Sequence, residues 1–536
     1  MQGPNQGELE RLEERNDSAE AEAFFYLLVS TMDSASKPVL FFPYPCTVQL
    51  ERPCPPGYEV RKIRAKDTSV RITYSFIKRY MYNAMRQVFK TANIKKLTKA
   101  SSNNWNVFWG HHLKSAEYAA LMSYQKVNHF PGSFELGRKD RLCGNLLRMR
   151  KKHPDAYRNV IPETYLTANE YEKQQFLQQF TADPHVLWVL KPPNLSCGRG
   201  IKLVTAATTP SSQLTKKKAY VAQRYVANPF LINDLKFDLR IYVLVTSYDP
   251  LKIYLFNDGL VRFCTEKYST SKAGLKNHFG HLTNYSVNKK NTTAFQPNQD
   301  NEDDEDSFSS SKWSLQTFFK YVREQGKGAQ LESFLESVED LIVKTFIAVE
   351  SKILMMTTGA NPNGCELYGF DILIEGEEMK PWLLEVNVFP SLSSSSPMDK
   401  RIKTILVSDV FQTIGVPFQD ANAALQQTEK DKKDRLLGMN RKNTKGEKKK
   451  DKKTLDDLIQ SKGSTLELDD ADLQILKEME EEDHRKGHFK RIFPTASSWE
   501  TYGALFETNR YKNVLCMRWL QSLEQNQRRR STTGKK

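Results

Sequence analysis

No stretch of this sequence approaches the ~20 consecutive apolar residues that span a bilayer. The nearest, FFYLLVSTM at 24–32, is too short and follows an acidic N-terminus that does not look cleavable, so a soluble, non-secreted protein is expected. Cysteine is scarce as well. The seven cysteines (46, 54, 143, 197, 264, 365, 516) are odd in number, scattered and without a CxxC pair. That argues against a disulfide framework and a zinc site, and favours reduced thiols in the cytosol. The nine histidines show no metal-ligand spacing, and His111–His112 reads as a solvated loop. There is no internal repeat, no P-loop sequence and no GxGxxG before a helix. What the chain has in excess is positive charge, +15 overall and unevenly spread. A basic surplus of this kind points to an acidic polymer as partner. Nucleic acid is disfavoured because no stacking-plus-basic fold signature accompanies the charge, and no membrane partner is expected.

The 536 residues leave room for roughly two to four domains. Residues 1–60 are acidic and then Pro-rich, and read as weakly ordered. Residues 61–183 are mixed: SFIKRYMYNAMRQVFK reads as an amphipathic helix and NNWNVFWG as a short strand with a turn. Strand patterns dominate 184–265, where RIYVLVTSY and KIYLFNDGL, joined by DP, read as a long hairpin. Residues 266–415 carry an acidic loop at 291–311, two helical patterns, the strands CELYGFDILI and PWLLEVNV, and a helix near 398–414. A basic flexible linker is expected at 416–463. Within it, 430–453 holds twelve Lys/Arg against four Asp/Glu. Helical periodicity returns over 464–520, including FKRIFP, and 521–536 is a basic tail.

The chemistry concentrates in KPWLLEVNVFPSL (380–392). Side chains alternate along a strand, so Glu385 and Asn387 share a face. The preceding strand YGFDILI carries Asp371, and a hairpin centred near Glu378 sets Asp371 opposite Glu385. Two carboxylates side by side on a strand pair are destabilising unless a hard cation lies between them, and two carboxylates with an amide suit Mg²⁺. The competing reading is a solvated strand face, which the apolar neighbours Phe370, Ile372, Leu383, Leu384 and Val386 oppose. In WVLKPPNLSCGRGIKLV, Lys191 and a loop with Gly198 and Gly200 could cradle phosphate, although a Gly-rich hairpin turn would look the same. LKFDLRIYV places Lys236, Asp238 and Arg240 on one strand face, and DGLVRF isolates Arg262 among apolar residues. HLTNYSVNKK shows no period and reads as a site loop.

Together KPPNLSCGRGI, QRYV, KFDLRIYVLVTSYDPLKIYLFNDGLVRF, HLTNYSVNKK, YGFDILI and WLLEVNVFPSL resemble the tubulin tyrosine ligase-like amino-acid ligases over roughly residues 100–415. WNVFWG, VNHFPGSFELGRKDRL and the region after 464 look most like the glutamylating branch. The resemblance implies an α/β (α+β) ATP-grasp core, with 61–183, 184–265 and 266–415 as its N-terminal, central and C-terminal domains and a basic helical extension. It implies transfer of glutamate: ATP phosphorylates a glutamate side chain in an acidic tubulin tail, and free L-glutamate displaces the phosphate to form an isopeptide branch. Lys191, Cys197, Gly198, Gln223, Arg224, Tyr225, Val226, Lys236, Phe237, Asp238, Thr283 and Asn284 would hold ATP. Asp371, Glu385 and Asn387 would hold Mg²⁺, and Arg262, Tyr285, Ser286, Lys312 and Lys403 the incoming glutamate. Arg240, Arg262 and Glu385 would act at the reacting groups. Cys197 departs from the Arg or Gln usual near the acceptor, and leaves acceptor geometry open. Val388 stands where chain-elongating relatives tend to carry His, which leans towards adding the first, branch-point glutamate.

The implied partners are tubulin and microtubules, the implied state a monomer, and the implied location the cytoplasm and cytoskeleton, including cilium, axoneme or basal body. A glycine ligase, a glutamylase of other acidic proteins and an inactive microtubule-binding protein are the competing expectations. The acidic loop raises a further one, that Glu302 and Glu305 are modified by the enzyme itself.

Overall fold

The computed structural model describes residues 23–533, except 34–35, 78–79, 98–103, 196–197, 215–218, 272–273, 292–311, 358–362 and, within 421–467, all but 423–424, 426, 429–430, 433 and 455–460. Cys197, Glu302, Glu305 and most of the basic run 430–453 lie outside the described residues, as do the side chains of Tyr285 and Ser286.

The apolar FFYLLVS forms β1 (Phe24–Ser30), which pairs antiparallel with β2 (Val39–Leu40) and β3 (Tyr58–Arg64). The described part of 23–60 is therefore structured, contrary to the expectation of weak order. Phe25, Leu27, Leu40 and Phe42 are buried in one cluster with Ile402, Leu406 and Phe411 of the Pro397–Ile414 helix, and that apolar burial favours an ordered backbone. A second, parallel sheet contains β4 (Thr73–Phe76), β5 (Lys95–Lys96), β6 (Val107–Trp109) and β7 (Lys126–Val127) in the order β5-β4-β6-β7. It corrects the helix expected over SFIKRYMYNAMRQVFK. Ser75 and Phe76 pair with Phe108 and Trp109, and among the described residues of this stretch the α-helix is confined to Asn83–Thr91. The third sheet is antiparallel, β10-β9-β11-β8, from β8 (Thr164–Leu166), β9 (Trp188–Lys191), β10 (Lys202–Val204) and β11 (Val221–Arg224). Phe176 and Phe180 of the Glu170–Ala182 helix pack on its Trp188.

The largest sheet runs β15-β14-β13-β16-β17, where β12 (Leu231–Ile232) and β13 (Leu235–Tyr248) precede β14 (Leu251–Phe263), β15 (Lys312–Ser314), β16 (Glu366–Glu375) and β17 (Lys380–Asn387); β12 flanks β13 and β18 (Phe489–Phe493) flanks β14. The β13–β14 hairpin agrees with the sequence pattern. Leu239, Ile241, Val243 and Val245 of β13 share a core with the Gly328–Met356 helix, while Tyr242 and Leu244 share the opposite core with the Pro397–Ile414 helix. Burial on both faces explains why β13 beyond Arg240 is a nearly continuous apolar run.

FKRIFP was expected to be helical. Its first five residues instead form β18, with Phe489, Ile492 and Phe493 buried, and the Asp470–Arg485 helix precedes it. Glu482 of that helix accepts hydrogen bonds from Thr246, Lys252 and Tyr254 at 2.8, 2.7 and 3.2 Å. The segment after 464 is thus built onto the largest sheet.

Asp409 in the Pro397–Ile414 helix ties three distant segments together. Its buried carboxylate accepts from Tyr44 at 2.8 Å, Arg52 at 2.5 Å and both the backbone N–H and the ring of His488 at 2.9 Å. Burial alone would raise its pKa, but Arg52 and His488 outweigh it and hold the carboxyl below its ordinary value. Removing Arg52 strips the main counter-charge from a buried anion, and breaking such a pair costs about 3–5 kcal/mol. Arg52→Ala should therefore lower the melting temperature and the urea midpoint; unchanged melting would show that Asp409 does not depend on Arg52.

Candidate active site

A cleft lies between the third sheet and the β13, β14, β16 and β17 strands. Its upper wall comes from β9 and β11. Lys191 ends β9, where burial pushes its pKa down, and its Nζ donates to Gln223 Oε1 at 2.7 Å. The following loop turns through Gly198 and Gly200 at φ +69° and +71°. Both backbones are left-handed, and a Cβ at Gly200 would come within 3.0 Å of Pro192, so glycine fits where a side chain would be strained. Gln223, Arg224, Tyr225 and Val226 all line the cleft.

The floor is a chain of buried alternating charges. Arg262 donates to both oxygens of Asp238, at 2.7 and 2.6 Å, and reaches Asp371 at 2.8 Å. Arg240 donates to both oxygens of Asp371 at 2.6 and 3.1 Å. Thr283 caps the chain by donating to Asp238 at 2.7 Å. Burial would raise the Asp371 pKa, but Arg240 and Arg262 prevail and hold the carboxyl well below the usual range. Register explains the convergence: Asp238 pairs with Arg262, and Arg240 with Asp371, on neighbouring strands.

Asp371 lies opposite Glu385, and Gly369 opposite Asn387, as the hairpin reading expected. The turn end of the hairpin is one residue out of step with this, because Ile372 pairs with Leu383. A bulge at Leu384 absorbs the difference. Leu384 and Glu385 therefore both line the cleft although they are neighbours, while Leu383 and Val386 enter the core behind. The oxygens of Asp371, Glu385 and Asn387 form a donor set suited to a hard divalent ion. The two carboxylates have lone pairs to spare beyond their present partners, so the residues fit Mg²⁺.

Among the other residues singled out in the sequence, Lys236, Asn284 and Thr283 also line the cleft. Phe237 does not. It is buried beside Phe230, Phe263 and Phe318 on the opposite face of β13, because strand alternation turns it away from Lys236 and Asp238. Lys312 and Lys403 fall outside the lining of the cleft. They converge on the buried Asp399, at 3.3 and 2.6 Å, with Lys312 one strand beyond Arg262. Ser395 and Ser396 of the SSSS run bond Lys312 and the Asp399 backbone.

Lys139, His281 and Leu373 also line the cleft and were missed in the sequence reading. Lys139 sits in FELGRKDRL, starts the Lys139–Lys152 helix and contacts Glu385 at 2.7 Å. His281 meets the Tyr225 hydroxyl at 2.8 Å, and burial followed by Lys236 lowers its pKa to about 4. The paired histidines also separate, since His111 is exposed whereas His112 packs against His129.

The tubulin-tyrosine ligase family model matches residues 116–424, which span the third sheet and all but the β18 edge of the largest one. The chain belongs to the tubulin-tyrosine ligase family. Among curated relatives, this family member is 38% identical over 451 residues to mouse "Tubulin polyglutamylase TTLL5", covering 81% of this chain and 33% of that protein. It is 38% identical over 467 residues to mouse "Tubulin monoglutamylase TTLL4", covering 81% and 38%. It is 34% identical over 416 residues to the Caenorhabditis elegans "Tubulin polyglutamylase ttll-4", covering 77% and 66%. The ligase-family chain thus spans about a third of the length of the two mouse relatives.

Lys236 gives the cleft a pH signature. Burial lowers its pKa to about 8, opposed in part by Cys264 and Asp238. Below pH 8 the ammonium is already charged. Above it, the Lys236 amine must take up a proton when a phosphate binds, so affinity should fall as pH rises, by up to about tenfold per unit. Calorimetric titration of ADP from pH 7 to 9.5 should show this fall, flattened in Lys236→Arg. A flat wild-type profile would remove Lys236 from phosphate binding.

Proposed function

We propose that this chain is an ATP-grasp ligase that joins free L-glutamate, through an isopeptide bond, to glutamate side chains of tubulin tails. The reading rests chiefly on one observation: the charge chain Asp238–Arg262–Asp371–Arg240 lies across a cleft that also carries Lys191, the Gly198 loop and Glu385. Acyl-phosphate chemistry gathers negative charge from three sources: a nucleotide, an acceptor carboxylate and an amino-acid carboxylate. A site for it needs cations fixed in advance, with no reorganisation at the moment of reaction. The names of the relatives agree with the substrate.

In this mechanism Gln223, Tyr225, Val226, Leu373 and Leu384 hold the base end of ATP, and Lys191, Lys236 and the Gly198 loop hold its phosphates. Asp238, Thr283 and Asn284 bind on the β13 side. Asp371, Glu385 and Asn387 would hold Mg²⁺, which would supply positive charge against the phosphates. The acceptor carboxylate attacks the γ-phosphorus and ADP leaves. Arg240 faces the resulting acyl phosphate. Arg262, whose Nε and Nη2 hold Asp238 and Asp371, offers its remaining N–H groups to the α-carboxylate of the incoming glutamate, and the resemblance adds Tyr285, Ser286, Lys312 and Lys403 to that role. The glutamate amine then attacks the acyl carbon, loses a proton and expels phosphate. No side chain forms a covalent bond, so Cys197 is a bystander to the bond changes. Val388 favours addition of the first, branch-point glutamate. The basic C-terminal region draws the enzyme to the acidic lattice in the cytoplasm, an attraction that salt screens.

The test supplies ATP, tubulin and labelled glutamate or glycine, and maps products by mass spectrometry. Glutamate on tail glutamates is the expected product; glycine addition would overturn the donor assignment. Glu385→Gln should reduce turnover on the order of a hundredfold or more while microtubule co-sedimentation is kept. Retained turnover would remove Glu385 from the mechanism.

A further inference from the structure

Some distance along the fold from the cleft residues, a second cluster of ligating groups converges without any role in the ligase reading. Glu366, the first residue of β16, is fully buried. Its Oε1 lies 2.6 Å from His129 Nδ1 and 3.8 Å from His112 Nε2. One ligand atom from each of the three residues falls within 4.8 Å of the others. The imidazoles stand side by side, with ring centroids 4.4 Å apart.

Sequence alone could not suggest this grouping. His112 follows β6, His129 follows β7 and Glu366 lies more than 200 residues further on. The three meet because β6 and β7 are parallel neighbours and Cys365 bonds back to Val127.

Three features distinguish the cluster from an ordinary buried hydrogen bond. The first is charge. Among the described residues no Lys or Arg lies within salt-bridge reach of Glu366, and the only ring nitrogens that close on it are those of the two imidazoles. A buried carboxylate without a counter-charge is costly. The second is preorganisation. The other oxygen, Oε2, accepts from the Phe130 backbone N–H at 3.1 Å and the Tyr368 hydroxyl at 2.8 Å, which fixes the carboxylate as outer-shell bonds fix a metal ligand. The third is spacing. Ligands about 2.1 Å from a tetrahedral zinc stand roughly 3.4 Å from one another. The two distances to Glu366, 2.6 and 3.8 Å, bracket that value. His129 Nε2 is also buried without a hydrogen-bond partner, so its contact at Nδ1 is the ring's only polar tether.

We propose that His112, His129 and Glu366 form a binding site for a single zinc ion, separate from the nucleotide cleft. The ion takes the place of the His129 Nδ1–Glu366 Oε1 hydrogen bond, the imidazole carrying its proton on Nε2 instead, and His112 Nε2 leaves its contact with the Ser133 hydroxyl to become the third ligand. Two imidazole nitrogens and one carboxylate oxygen suit zinc better than magnesium. A small cavity beside His129, lined also by Tyr80, Trp109, Asn128 and Phe389, leaves room for a water as fourth ligand. The ion also has a mechanical effect. Phe389 packs on both rings, 4.1 Å from His129 and 5.4 Å from His112, and stands two residues after Asn387. Zinc there would anchor the end of β17 from behind.

The test titrates zinc into chelator-treated full-length protein, in excess Mg²⁺ so that the cleft does not compete. One equivalent should bind to wild type. Affinity should fall at least about tenfold in His112→Ala, which alters the most accessible ligand and is checked for folding by circular dichroism. Cobalt supplies a second readout on wild type alone. Its absorption should show tetrahedral or five-coordinate d–d bands without a thiolate charge-transfer band. Absence of zinc binding, equal affinity in a folded His112→Ala, or a thiolate band pointing to the cysteines would each overturn the site. Ligase turnover is not a readout here, so failure of this site and failure of the ligase assignment remain distinguishable.

Discussion

The buried sequence of charges Asp238, Arg262, Asp371 and Arg240 is the constraint on which the cleft depends. Each member is almost fully withdrawn from water, so each would be prohibitively costly alone. The costs are offset because the two guanidinium groups each fork onto a carboxylate and Arg262 bridges both. Such a chain cannot tolerate a register slip. A one-residue shift of β13 against β14 or β16 would turn two charges into the apolar core behind the sheet. The long apolar flanks of β13 and β14 are thus also the means by which four charged side chains are held to a single arrangement.

This arrangement limits what the site can spare. Asp371 already accepts three hydrogen bonds from arginines, so a metal ion would share it with them. Glu385, paired with Lys139 near the rim, is the more adjustable carboxylate. The floor is therefore rigid at its centre and adaptable at its edge. The Gly198 loop thus lines the same cleft as the fixed arginine Arg262 and a lysine–glutamate pair that can re-form elsewhere.

Much of this was legible in the sequence because the polar residues stood out against apolar strands. Asp371, Glu385 and Asn387 broke a hydrophobic pattern, and strand periodicity sufficed to put them on one face. Phe237 was misassigned by its company in a motif, although the same alternation that exposes Asp238 turns it inward. The bulge at Leu384 left no mark on composition, since it arises where one strand end must satisfy both the tight turn and the charge register. Lys139 and the His112–His129–Glu366 grouping were invisible for a different reason. Their partners are far away in the chain, and only the stacking of sheets makes them neighbours. FKRIFP misled because it continues a segment of helical periodicity, whereas Phe489, Ile492 and Phe493 are buried along a strand.

The attachment of β18 to β14 bears on how the molecule can be divided. β14 is paired along one half by β15 and along the other by β18, so both halves of its outer rim are occupied. Trimming the polypeptide after residue 415 would uncover half of that rim, together with the apolar patch that Phe489 and Phe493 shield. Such a fragment would present a ready template for intermolecular strand addition. The segment that carries β18 is for this reason a protective seam of the largest sheet, and it cannot be removed by a simple cut without opening that edge.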